Sequence, residues 1–71
     1  MMQLTMKSWR KGLLTVSLIE LVKKLSTGSL IRAKADVERL LDGFAVTLEF
    51  ESKDAMDEFK IKAIEFGVLF D

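Results

Sequence analysis

Carboxylates are the side chains of this sequence with the most chemistry to offer. The 71-residue chain has no histidine, cysteine or tyrosine, which excludes an imidazole base, a thiolate nucleophile and the Cys/His zinc sets within one chain. Glu49 and Glu51, two apart, share one side of a strand; Asp54, Asp57 and Glu58 fall near a helix start. Oxygen clusters of this kind hold magnesium or act as acids. The same spacings are also those of a solvated strand face and of a first helical turn, where acids offset the helix dipole. The reading is non-enzymatic: no catalytic residue, cofactor or metal site is assigned.

Two further stretches bear on ligands. Thr27-Gly28-Ser29 lacks the spaced glycines and the Gly-Lys-Ser/Thr ending of a phosphate loop. Ser29 suits a helix N-cap, and Arg32 and Lys34 follow it, so an anion would find amides and cations there. The reading favours a structural turn, then protein contact. Trp9 stands among Lys7, Arg10 and Lys11, and an aromatic ring with cations can stack on bases and neutralise phosphates. Burial of Trp9 at the edge of a helical layer is the preferred reading. Eleven basic and eleven acidic residues cancel, which weighs against a general grip on nucleic acid.

These groups must be held by a small core. Seventy-one residues, 49% apolar and without proline, read as a single domain over 1–71 that buries most of what it has. With no cysteine, there is no disulfide framework, and stability rests on packing and on self-association if it occurs. No apolar run approaches the length needed to cross a bilayer. The apolar stretch after the first cations is broken by Glu20 and lacks a small-residue cleavage site, so the default location is cytoplasmic.

Period-two alternation over "QLTMKSW", residues 3 to 9, predicts a strand with Leu4, Met6 and Ser8 on one side. A turn follows at Gly12. Leu14, Leu18, Leu21, Val22 and Leu25 predict a helix from about Ser17 to Leu25, with Ser17 and Glu20 at capping-box spacing. A second helix starts at Ser29, carries Leu30, Ala33, Val37, Leu40 and Leu41 as its stripe, and stops at Gly43. "FAVTLEFE" is a strand with Val46, Leu48 and Phe50 inward. Ser52 caps a third helix with Ala55, Met56, Phe59, Ala63 and Phe66 inward, Gly67 ends it, and "VLF" is a terminal strand. The predicted fold is α+β: a two-layer β-α-α-β-α-β domain with a three-stranded sheet covered by three helices.

Three isoleucines fall off these stripes. Ile31 lies about 130° from the core side of its helix, and Ile61 and Ile64 point away from the stripe of theirs. Around Ile31 and Ala35, the cations Lys24, Arg32, Lys34 and Arg39 would form a rim, an arrangement suited to a protein partner bearing carboxylates.

The run "IELVKKLSTGSLIRAKADVE", Ile19 to Glu38, and the run "SKDAMDEFKIKAIEFGV", Ser52 to Val68, together resemble the C-terminal domain of the bacterial ribosomal stalk protein of the large subunit. That resemblance implies the same order of elements and a helix pair whose basic and small residues, around Gly28, recruit translational GTPase factors. Aligned on Thr27-Gly28, the family's helix-one arginine becomes Lys24 and the lysine of its Ala-Lys pair becomes Lys34. The chain departs at Leu21 and Ile31, where the family has lysines, and at Arg32, where it has an acid; its turn is one glycine shorter. The Clp protease adaptors are similar in arrangement, though their pocket histidine has no counterpart here. The functional expectation is a non-catalytic protein-interaction module, engaging a component of the translation or transcription apparatus through the first helix pair. A Clp-type adaptor and a small nucleic-acid-binding protein are the alternatives.

Overall fold

Val46, Leu48 and Phe50 are buried while Thr47 and Glu49 between them are exposed, so the period-two pattern of that segment becomes a strand with one face in the core. The computed structural model describes residues 2–70 and contains β1 (Met2–Trp9), α1 (Thr15–Leu25), α2 (Leu30–Leu41), β2 (Val46–Phe50), α3 (Lys53–Phe66) and β3 (Val68–Phe70). The strands form an antiparallel sheet in the order β2-β1-β3. Three helices pack on it, and α1 packs against both α2 and α3. This is the α+β architecture expected from the sequence.

The first strand of the chain is thus the central one. Against β2 its register runs without interruption from Met2 opposite Phe50 to Met6 opposite Val46. Against β3 a bulge lies between Met6, opposite Phe70, and Ser8, opposite Leu69. One extra residue inverts the side-chain alternation beyond it. The expected grouping of Ser8 with Leu4 and Met6 therefore fails past Met6, and Trp9 comes opposite the buried Val68. Trp9 itself is only partly covered, with 36% of its surface exposed, so its expected burial is corrected to a half-covered position at the sheet rim.

Helix ends follow the sequence at two of three N-termini. The Ser29 hydroxyl accepts from the Arg32 amide and the Ser52 hydroxyl from the Ala55 amide, each satisfying a first-turn donor that the helix cannot. At α1 the expectation was wrong: the helix starts at Thr15, Ser17 lies inside it, and Leu14 at the N-cap makes no side-chain cap bond. Here the entry is fixed from a distance. Arg10 donates its amide to the Gly67 carbonyl at 2.8 Å and Leu14 donates to Phe66 at 3.0 Å.

At the end of α2, the Phe44 amide bonds to the Arg39 carbonyl and the Gly43 amide to Leu40, both at 3.0 Å. This is the Schellman pattern, and it requires the left-handed backbone that Gly43 adopts at φ +97°. Gly67 ends α3 in the same region at φ +113°.

The core gathers Met6, Leu18, Val22, Val37, Leu40, Phe50, Phe59 and Val68, all essentially without solvent contact. Phe59 stands at its centre, its ring 5.2 Å from that of Phe50 and 6.4 Å, edge-on, from that of Phe70. Among the described residues no polar side chain is buried. Leu14 and Leu30, both expected in helix stripes, are instead exposed, because one precedes its helix and the other is the first residue of its own.

Candidate functional site

The α1–α2 connection is pinned at both ends. Ser26 returns its hydroxyl and its amide to the Val22 carbonyl, at 2.6 and 3.0 Å, closing α1. Thr27 then donates its amide to the Glu49 carbonyl of β2 at 3.0 Å. Gly28, at φ +130°, makes the reversal that a side chain would resist, and Ser29 caps α2. Thr27 to Ser29 is thus a turn fastened to an edge strand.

Ile31 stands on the first turn of α2 with 81% of its surface exposed. Ala35 continues that exposed face one turn on, and Lys34 and Glu38 are exposed beside it. Ile61 and Ile64 are likewise exposed, at 63% and 46%, as the helical wheel of α3 predicts.

The cations do not gather into a single rim. Arg32 turns into a groove of about 140 Å³ along β2, lined also by Thr27, Gly28, Asp36, Thr47 and Glu49. Lys24 borders a separate hollow with Ser26, Gly28, Glu51, Ser52 and Ala55. Arg39 lies over the Phe44 ring at 6.0 Å, at the far end of the helix. Of the named cations, Lys34 is the one within a turn of Ile31 on α2's outer surface. Gly28 lines both hollows and joins them.

Lys7, Trp9, Arg10 and Lys11 are all exposed, along the second half of β1 and just beyond it. Lys7 lies at the bulge of β1 and Lys11 occupies the turn after the strand. Arg10 reaches across to donate to the Ile64 carbonyl at 3.3 Å. That contact opens a feature the sequence did not reveal: a hollow beside β3 lined by Arg10, Lys60, Ile64, Val68, Leu69 and Phe70. The spacing of Lys60 and Ile64, one helical turn apart, was its sole signal in the sequence.

Two of the carboxylates are held in ion pairs on the surface of α3. Asp57 accepts from Lys53 at 2.8 Å and Glu58 from Lys62 at 3.3 Å, each pair four residues apart. The hydrogen bond to Asp57, with its charge second, raises the Lys53 ammonium above its ordinary pKa. Among the described residues no three acids converge as metal ligands would, and no helix is long and apolar enough to cross a membrane.

No family model, no curated protein and no solved structure matches the chain.

Proposed function

We propose that the domain is a non-catalytic protein-binding module that presents the outer face of α2 to its partner. The observation that carries this reading is Ile31, a large aliphatic side chain 81% exposed on a helix fixed at both ends, by the Ser29 cap and by the Gly43 turn. Burial of such a side chain in a partner contributes about 2 kcal/mol of hydrophobic free energy, and a rigid helix loses little conformational entropy on docking. Lys34 beside it favours a partner bearing carboxylates and speeds encounter more than it tightens the complex.

The resemblance to the stalk domain makes a component of the translation or transcription apparatus the leading class of partner. The departures at Ile31 and Arg32 place a different surface where a stalk domain meets its factors, an apolar centre in place of a charged one.

The test compares wild type with Ile31→Asp in affinity capture from native lysate, with protein and nucleic acid both quantified. Loss of a specific protein from the variant, with an unchanged denaturation midpoint, supports the reading. Equal capture by both proteins defeats it. Recovery of a Clp chaperone subunit would point to an adaptor, salt-sensitive recovery of RNA or DNA to a nucleic-acid module, and concentration-dependent self-association lost in the variant to a homo-oligomer.

A further inference from the structure

The two edges of the sheet are treated differently. At β2 the Thr27 amide occupies the Glu49 carbonyl, so the α1–α2 turn straps that edge. At β3, which pairs with β1 alone, the outer side faces the hollow of about 440 Å³ described above. An unpaired edge strand is a template for another strand. Because the Gly67 carbonyl is turned towards β1 by its bond from Arg10, the two-residue alternation of a strand directs the backbone groups of Val68 and Phe70 to the open side.

The walls of this hollow specify what would lie there. Its apolar surface comes from Ile64 and Leu69, exposed at 46% and 41%, with Val68 and Phe70 beneath. Among the described residues its charged members are both cations, Arg10 and Lys60. The Arg10 guanidinium is held by the Ile64 carbonyl, and the Lys60 ammonium sits 5.9 Å from the Phe70 ring centroid, so each keeps donors for an incoming acid.

We propose that the groove between α3 and the free edge of β3 binds an extended peptide segment of a partner protein, one that combines aliphatic and acidic residues. The segment adds to β3 as a fourth strand. Its main chain bonds to Val68 and Phe70, one row of side chains packs beside Ile64 on the helix side and the other beside Leu69 on the opposite face of the sheet, and acidic side chains meet Arg10 and Lys60. A second copy of the chain is the poorer occupant, because two-fold pairing of β3 with itself would bring two Arg10 and Lys60 pairs together, like charges with no carboxylate among the described lining residues of either groove. This surface is independent of the Ile31 face: it lies at the opposite edge of the sheet from the α1–α2 turn.

The experiment uses fluorescein-labelled octapeptides in which valine alternates with glutamate or with lysine, and a glutamate peptide interrupted by proline. Anisotropy should show the glutamate peptide bound, the lysine and proline peptides at least about tenfold weaker, and a loss of several-fold on Lys60→Glu or Arg10→Gln. Amide resonances of Val68, Leu69 and Phe70 should shift on titration while those of Ile31 and Ala35 stay in place. Circular dichroism of each variant establishes that it is folded, and Glu65→Gln on the same helix serves as a charge control expected to bind as wild type. Equal affinity for the acidic and basic peptides, no effect of Lys60→Glu in a folded variant, or shifts confined to α2 would overturn the proposal. So would sedimentation showing a dimer that excludes the peptide.

Discussion

The Thr27 amide donates to the Glu49 carbonyl at 3.0 Å, so a turn between two helices is stitched to a strand that follows both in the chain. The bond belongs to the sheet edge in all but name. Hydrogen exchange at Thr27 is therefore expected to be slow, comparable to the strand amides, while the neighbouring Gly28 amide exchanges faster; equal rates at the two would refute the strap. Thr27→Ala keeps the amide and should shift stability by no more than about 0.5 kcal/mol.

Gly67 and Gly43 share a left-handed backbone but differ in what surrounds them. A Cβ at Gly67 would lie 3.2 Å from the Cα of Leu13, whereas one at Gly43 would meet nothing within 4 Å. Gly43→Ala should cost about 1 kcal/mol from backbone strain alone. Gly67→Ala adds a tight approach to the Leu13 backbone, which must give by a few tenths of an ångström, and should cost more, about 2 kcal/mol. Urea denaturation midpoints of the two variants decide the order.

Phe59 is enclosed, with the Phe50 and Phe70 rings against it. Phe59→Ala leaves a cavity worth about 3–5 kcal/mol, as much as a domain of this size has in total. The variant should be largely unfolded by circular dichroism at 25 °C, while Phe59→Leu retains a cooperative transition at a lower midpoint.

The Lys53–Asp57 pair gives a pH dependence of known sign. Because the Lys53 pKa is raised in the folded protein, the stabilisation is complete below the ordinary lysine value and disappears as pH rises through the higher, folded value. The pair is exposed to solvent and salt, so the effect on stability is small. Nuclear magnetic resonance titration of Lys53 should show its pKa returning to the ordinary value in Asp57→Asn, and the alkaline loss of stability should be shallower in that variant.

Much of this architecture is legible in the sequence because its signals are local. Val46, Leu48 and Phe50 need only a period of two, and Ser29 and Ser52 need only the amides three residues ahead. Where a distant partner decides, the residues are silent. The start of α1 depends on bonds to Phe66 and Gly67, and the bulge after Met6 depends on the register with β3. The surfaces divide in the same way. Exposure of Ile31 follows from a helical wheel, but the dispersal of Lys24, Arg32 and Arg39 follows from what each meets across the fold. The β3 groove draws Lys60 from α3, Phe70 from β3 and Arg10 from the connection after β1, and the pairing of β1 with β3 makes them neighbours.

That strand order also sets the timing of assembly. Of the six described elements β1 comes first in the chain, and it is the one that both other strands must find. Met6 meets Val46 only after the helix pair has been made, and Phe70 only once nearly every described residue exists. Closing such long loops precedes the reward of strand pairing. On a translating ribosome, the apolar face of β1 would wait uncovered until β2 emerges, and the sheet would be completed last, at β3.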